Sequence, residues 1–323
     1  MSHAIRSLAL LGQHGVDVFF VISGFLITYL LLYEYEERGR ISLKGFYLRR
    51  LFRIFPAFYA FLGVVGLLWA LRIVSTNWQT YLSAASYTFN YNRHPIGWSL
   101  GHCWSLSLEE QFYLLWPPCL VMLGRAKSAW VAASVILLSP VSRAVTYVVA
   151  PSYRGMENVT LHTRLDTIMF GCLIALLYDN ATFRRVTDRL THPILVSLCL
   201  GFFLIVSPLA EMRYGAKYLW TVGFTCRAFC VSIVMLYAIK NARSIAGRFL
   251  NARVTRHVGV ISYGLYLWQQ PFTAAGTFHL WHLIPILGCA EASYILIEKP
   301  AFRLRDAIQR RMFIASAETA RGA

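Results

Sequence analysis

Charge is scarce in this sequence, and most of it has one sign. Only 14% of the 323 residues are charged, against about 25% in an ordinary soluble domain, so polar side chains are too few to cover a water-facing globule. Lys and Arg number 31 and Asp and Glu only 15, which gives a formal net charge of +16. Either nucleic acid or anionic lipid headgroups could account for that sign.

Cysteine is also sparse, with seven residues and no C-x-x-C pair. This excludes a disulfide scaffold, and we interpret the cysteines as apolar core side chains. A chain with 15% aromatic residues is not intrinsically disordered. We expect no metal site, because His279 and His282 have no carboxylate or cysteine beside them in the sequence.

Long apolar runs are what the sequence has in abundance. A helix needs about 20 apolar residues to cross the hydrocarbon layer of a membrane. Runs of about that length occupy residues 16–35, 54–72, 105–124, 128–150, 161–179, 193–209, 217–239, 259–276 and 280–297. They predict an all-α protein, a polytopic transmembrane helical bundle of about nine spans. We assign residues 1–300 to the membrane domain and 301–323 to a basic cytoplasmic tail.

The basic residues alternate from loop to loop along these runs. Of the 31, 22 lie on the side of the loop 36–53 and six on the other side, and Arg143, Arg164 and Arg227 fall within runs. Loops rich in Lys and Arg face the cytoplasm, so the C-terminus is expected there. This alternation favours a lipid bilayer as the partner and no nucleic acid. Nine spans would place Met1 outside, and an even number would be simpler, so we expect a further helix before residue 1.

Two segments near the N-terminal end carry charged residues that need an interpretation. Asp17 stands at the start of the first run, where the helix dipole favours an anion, which indicates a helix N-cap. Ser23 and Gly24, later in the same run, would let another helix approach closely. A basic group, Arg49, Arg50 and Arg53, shares one helix face. It is either a topology anchor at the headgroups or a clamp for phosphate oxygens.

Ionisable residues inside later runs are candidate functional groups, because they are costly in a membrane. Glu109 and Glu110 point about 100° apart on a helix, so both cannot easily face outside water. Arg164 and Asp166 either neutralise each other, pair with other helices, or contact a substrate. Arg227 needs a partner or an aqueous cavity. Tyr263, in the eighth run, could belong to an interfacial aromatic belt.

Six segments together resemble the membrane acyltransferase family three, which includes bacterial O-acetyltransferases of O-antigen, exopolysaccharide and nodulation-factor sugars. They appear in family order and extend over nearly the whole chain. The segments are GVDVFFVISGFLI (15–27), FYLRRLFRIFP (46–56), WSLSLEEQFYLLWP (104–117), RLDTIMFG (164–171), ISYGLYLWQQP (261–271) and IEKP (297–300).

The resemblance implies an enzyme of the bacterial inner membrane that moves an acyl group, usually acetyl, from acyl-CoA to a hydroxyl of a carbohydrate. Acetyl-CoA is then a donor substrate, and no cofactor is permanently bound. The family histidine matches His3 by its distance from Gly15, as general base or acyl acceptor. Glu109 matches the family carboxylate that would orient the histidine.

The resemblance also suggests roles for the other candidates. Arg49, Arg50 and Arg53 would bind the phosphates of CoA on the cytoplasmic side. The candidates for the substrate site are Arg164, Asp166, Glu110 and Tyr263.

Two points keep other hypotheses open. The family's basic partner of the histidine would precede residue 1, and His14, next to Gly15, is a weaker alternative to His3. A transporter or flippase of a lipid-linked sugar would use the same buried charges as a pathway. An inactive, truncated family member is the third hypothesis.

Overall fold

The computed structural model describes residues 3–94, 97–150, 159–273 and 279–321, with side chains described from residue 14 to residue 310 within these ranges. All regular elements in these ranges are helical, which confirms the predicted all-α class. The α-helices are α1 (His3–Arg38), α2 (Leu43–Ala70), α3 (Trp78–Ala85), α4 (Cys103–Val149), α5 (Leu161–Leu177), α6 (Ala181–Leu190), α7 (Pro193–Gly201), α8 (Ser207–Tyr214), α9 (Ala216–Tyr218), α10 (Phe224–Lys240), α11 (Ile245–Leu250), α12 (Arg253–Phe272), α13 (Leu283–Ser293) and α14 (Lys299–Arg321).

Shorter helical segments connect several of these helices. Wider, π-helical turns join α7 to α8, α9 to α10 and α13 to α14, so each of these pairs runs on as one helical stretch. Single 3-10 turns are found at Phe89–Tyr91, Trp98–Leu100 and Leu280–His282.

Six helical stretches of the described chain are long and apolar enough to cross a membrane. They are His14–Arg38, Leu43–Ala70, Trp98–Val149, Pro193–Tyr214, Ala216–Lys240 and Leu280–Arg310. The expected nine spans are therefore not confirmed. Two expected runs merge into Trp98–Val149, α5 has only 17 residues, and α12 is rich in polar side chains.

A break at Gly124 interrupts α4. Its backbone has φ 70° and ψ 176°, a conformation that glycine adopts readily because it lacks a Cβ. The next residue, Arg125, donates from Nε to the carbonyl oxygen of Leu176 at 2.7 Å and from Nη2 to Asp179 at 3.0 Å. A cation at the C-terminal end of α5 interacts favourably with the helix dipole, so Arg125 ties the second half of α4 to α5.

The described chain divides into two compact units. The first unit comprises Met1–Ile41, Tyr87–Tyr91 and Cys103–Asn251, and the second comprises Ser42–Ser86, Asn92–His102 and Ala252–Ala323. In the first unit, α5 packs mainly against α1 and α4, and α10 packs against α5, α7 and α1. In the second unit, α12 packs against α13 and α2, and α14 packs along α2.

Glycines allow α1 and α5 to pack backbone to backbone in the first unit. A Cβ added at Gly24 would overlap the carbonyl oxygen of Ile168, and one added at Gly171 would overlap the carbonyl oxygen of Val21. The close approach predicted at Ser23 and Gly24 is therefore confirmed, and its partner is α5.

Replacing Gly24 by alanine should destabilise the protein by about 1–3 kcal/mol, because the added methyl would push α1 away from the α5 backbone. The matched control is Gly63→Ala, at a helical glycine where a Cβ meets nothing within 4 Å. That change should be neutral or stabilising by about 0.5–1 kcal/mol. The measurement is thermal unfolding of both variants in detergent micelles, and equal midpoints would contradict the close contact.

Candidate functional site

Asp17 joins three helices of the first unit through two arginines. Its side chain is only 1% exposed, and Arg164 Nη2 of α5 donates to its Oδ1 at 2.6 Å. Arg227 Nε of α10 lies 2.9 Å from its Oδ2. The N-cap interpretation of Asp17 is wrong, because α1 begins at His3 and Asp17 lies well inside the helix. Its carboxylate balances guanidinium charge rather than free helix amides.

Arg227 also has a second acidic partner, Glu211 of α8. Its Nη1 donates to Glu211 Oε2 at 2.9 Å, so Arg227 is paired, as a buried charge requires. His14 contacts Arg227 and has its Nε2 3.0 Å from the same Glu211 oxygen. His14, the weaker candidate for the family histidine, therefore belongs to this group of charges.

A second buried ion pair connects Arg143 of α4 with Asp166 of α5. Arg143 Nη1 donates to Asp166 Oδ2 at 3.0 Å and to the carbonyl oxygen of Thr163 at 2.7 Å. Its Nη2 donates to the Thr225 hydroxyl, which donates in turn to Asp166 Oδ2, both at 2.7 Å. Of the alternatives left open for Arg164 and Asp166, pairing with other helices is the one observed, since each has its ion-pair partner on a different helix.

The ring of Phe224 lies among the three arginines. The guanidinium carbon is 3.8 Å from the ring centroid for Arg164, 4.9 Å for Arg227 and 5.6 Å for Arg143. An aromatic face attracts cations, most strongly where water is excluded. Phe224 thus offsets part of the repulsion among the three positive charges.

The buried charges cancel in number. We call the set of three guanidinium and three carboxylate groups the ionic cluster: Arg143, Arg164, Arg227, Asp17, Asp166 and Glu211. The most exposed side chain among them is Glu211, at 13%. The formal charge of these six groups is zero, and charges buried together need such compensation.

Some polar atoms of this region are buried and have no hydrogen-bond partner among the described residues. They include Nε and Nη1 of Arg164, Oδ1 of Asp166 and the hydroxyl of Thr167. Buried donors are nearly always satisfied in folded proteins. Arg164 therefore keeps donor capacity that Asp17 does not use, and a bound polar group could take it up.

Glu109 is held by hydrogen bonds from two helices. It is 5% exposed, and its Oε1 accepts from the hydroxyl of Ser23 at 2.6 Å and from the hydroxyl of Tyr113. The two hydroxyl oxygens lie 2.7 Å apart. Its neighbour Glu110 is only half-buried, as the 100° separation on a helix anticipates.

The role predicted for His3 concerns a side chain outside the described residues. Its backbone begins α1, and the pairing of its imidazole with Glu109 stays a prediction.

The predicted basic residues of the second unit differ in their surroundings. Arg49, Arg50 and Arg53 all lie in α2, and Arg53 lines a cavity whose described lining does not include the other two. Tyr263 of α12 donates from its hydroxyl to the carbonyl oxygen of Ile54 at 3.2 Å. This hydrogen bond joins the second and fifth motif segments.

Of the ionic cluster, only Arg164 and Asp166 are among the site residues predicted from the sequence, so four of its six members were missed. Asp17 is predicted as a helix N-cap, Arg143 and Arg227 as charges inside apolar runs, and Glu211 is not singled out. The signal available for Arg143 and Arg227 is an isolated charge inside an apolar run, which in a membrane needs a partner. Glu211 lies beyond the run 193–209 and close to Arg213, so the sequence carries no such signal for it.

Comparison with known proteins identifies the family. Residues 1–297 match a family model described as an acyltransferase domain. "Putative peptidoglycan O-acetyltransferase YrhL" of Bacillus subtilis (strain 168) is 31% identical over 94% of this chain and 52% of its own length. "O-acetyltransferase OatA" of Staphylococcus aureus (strain NCTC 8325 / PS 47) is 28% identical over 90% of this chain and 52% of its own length.

The chain belongs to this acyltransferase family, which confirms the resemblance carried by the six motif segments. With its apolar helical stretches, it is a multi-pass membrane protein. The chain spans about half the length of the curated relatives it matches. No solved structure matches it.

Replacing Asp17 by asparagine should destabilise the protein by about 3–5 kcal/mol, because two buried guanidinium groups lose their shared counter-charge. The matched control is Asp179→Asn. Asp179 also pairs with two arginines, Arg125 and Arg184, but its side chain is 55% exposed, so the loss should be about 0–1 kcal/mol. Thermal unfolding in detergent compares the two, and similar midpoints would argue against a stabilising role for the ionic cluster.

Proposed function

We propose that this chain is an integral membrane O-acyltransferase. It moves an acyl group, acetyl in the simplest case, from acyl-CoA to a hydroxyl of a cell-surface or exported carbohydrate. The family match supports the reaction class. The relatives are named as O-acetyltransferases, in one case as a peptidoglycan O-acetyltransferase. These names support acetyl as the group and a cell-wall glycan as the first acceptor to test.

The observation that carries the proposal is the meeting of three motif segments in the first unit. Segment 15–27 supplies Asp17 and Ser23, segment 104–117 supplies Glu109, and segment 164–171 supplies Arg164. The hydrogen bonds from Ser23 to Glu109 and from Arg164 to Asp17 connect them. Ionisable groups buried among apolar helices and drawn together from distant parts of the chain are typical of a site that does chemistry.

The proposed topology has nine spans, a cytoplasmic C-terminus and a location in the bacterial inner membrane. Trp98–Val149 contains 52 residues, about 78 Å of helix, while a hydrocarbon core measures about 30 Å. The break at Gly124 would divide it into two spans. α5 and α12, with 17 and 20 residues, would complete the nine.

The proposed reaction requires a base, because an alcohol is a weak nucleophile until its proton is taken. His3 would accept the proton of the acceptor hydroxyl as that oxygen attacks the thioester carbonyl. The carbon–oxygen bond forms, the carbon–sulfur bond breaks, and the CoA thiolate receives the proton. Glu109, oriented by Ser23 and Tyr113, would hold the imidazole tautomer and balance its positive charge.

Arg164 is the proposed electrostatic partner of the reacting acyl group. Nε and Nη1 are buried donors without a partner among the described residues, and donors fixed in advance stabilise the charge that develops on a carbonyl oxygen. Asp166, Glu110 and Tyr263 remain proposed substrate contacts. Arg49, Arg50 and Arg53 would bind the phosphates of CoA.

Transfer is tested with the purified chain in liposomes, labelled acetyl-CoA on one side and soluble peptidoglycan fragments on the other. The enzyme predicts label on the glycan. Movement of glycan without label would favour a transporter, and neither label nor movement would favour an inactive family member.

Within this assay, Glu109→Gln should lower the rate of transfer by about 10²–10⁴-fold, because the histidine loses its orienting charge. Ser23→Ala removes one hydrogen bond to the carboxylate, worth about 1.5–3 kcal/mol, and should lower the rate by about ten- to a hundredfold. The control is Glu36→Gln, at a carboxylate 59% exposed. Full activity of Glu109→Gln would refute its role.

A further inference from the structure

The second unit contains a cavity of about 610 Å³ whose lining carries four nitrogen-rich side chains. Small-molecule sites in proteins measure about 300–1,000 Å³, so the cavity is large enough for a ligand. We call it the basic pocket. Its lining includes Arg53, Arg253, Arg256, His257, Tyr294 and Phe302.

The arginines of the basic pocket have little negative charge to balance them. In the part of the chain that the structure describes, Arg253 and Arg256 make no ion pair. His257 contacts Glu291, and Arg53 interacts electrostatically with the buried carboxyl group of Glu298. Counting these two carboxylates against three guanidinium groups leaves an excess of positive charge.

Arg253 and Arg256 also lie at the N-terminal end of a helix. Both lie in the first turn of α12, which contains no acidic residue and whose N-cap, Ala252, makes no side-chain hydrogen bond. Cations are unfavourable at a helix N-terminus, where backbone amides already carry partial positive charge. A bound anion would relieve this cost, since amides and guanidinium groups would both face it.

Aromatic side chains form another part of the wall. Tyr294 and Phe302 line the same cavity as the arginines, and aromatic faces stack against nucleobases at about 1–3 kcal/mol per base. Arginine forks match phosphate oxygens in geometry. Phosphate and a flat heterocycle within one ligand describe a nucleotide.

We infer that the basic pocket binds a phosphate ester through Arg53, Arg253 and Arg256, and that its aromatic wall selects the nucleotide end of coenzyme A. Phosphate binding by the basic pocket does not depend on the proposed function, whereas the identification of the ligand as the acyl donor rests on it. Arg253 and Arg256 lie far from the motif arginines in sequence and would add a second group of donor-binding residues. The headgroup of an anionic phospholipid is the other source of the same chemistry.

Direct binding of CoA to the full chain in phosphatidylcholine nanodiscs tests the inference. The double variant Arg253→Ala/Arg256→Ala should weaken binding at least tenfold, because charge-assisted hydrogen bonds to phosphate are lost. Arg253→Lys/Arg256→Lys, which keeps the charge, should lose less. The control, Arg243→Ala/Arg248→Ala, removes the same charge from exposed positions outside the basic pocket and should leave binding within twofold.

Two further probes separate the sources of the phosphate. Dephospho-CoA, which lacks the 3′-phosphate, should bind the unchanged protein more weakly than CoA does. If the binding of phosphatidylglycerol vesicles depends on Arg253 and Arg256 whereas the binding of CoA does not, the phosphate site stands and the nucleotide assignment is wrong. If neither probe distinguishes the pocket variant from its control, while thermal unfolding shows both folded, the inference is overturned.

The same variants test this inference separately from the proposed function. Normal acetyl transfer with an unchanged CoA affinity in Arg253→Ala/Arg256→Ala would overturn the basic pocket and leave the enzyme standing. Arginine-dependent CoA binding without transfer by the unchanged protein would support the pocket and count against the enzyme.

Discussion

The carboxylate of Asp17 is the group on which the first unit depends. Its two oxygens face Arg164 at 2.6 Å and Arg227 at 2.9 Å, so one residue of α1 balances a charge from each of two other helices. A buried ion pair is rarely more stable than well-packed apolar side chains of the same volume, because desolvation offsets the attraction. Stability alone is therefore a poor reason for keeping these charges in apolar helices. The proposed reaction would supply another reason.

Three of the six motif segments lie in the first unit and three in the second, and within each unit they contact one another. In the first unit, Gly24 brings the first segment against the backbone of the fourth, and Ser23 connects it to Glu109 in the third. In the second unit, Tyr263 connects the fifth segment to the second, and Glu298 of the sixth interacts with Arg53 of the second. Each motif segment thus contacts at least one other motif segment of its own unit.

The sequence predicted those features that depend on local composition. Apolar runs predicted an all-α membrane protein, and a small residue in an apolar run predicted the close contact at Gly24. The N-cap interpretation of Asp17 failed because a cap depends on where the helix begins, and α1 begins at His3. The partners of Arg227 could not be predicted either, since Asp17 lies more than two hundred positions away and nothing local marks the pairing.

The arginines of the ionic cluster are buried, whereas those of the basic pocket are exposed. In the ionic cluster every guanidinium has a carboxylate partner, because an uncompensated charge there would cost several kcal/mol. The excess behind the net charge of +16 must therefore reside on arginines and lysines that solvent can reach. Those are the positions that a water-borne anion reaches first. In the proposed enzyme, the buried arginines of the ionic cluster would act beside the reacting groups, and the exposed arginines of the basic pocket would capture the phosphate-bearing ligand.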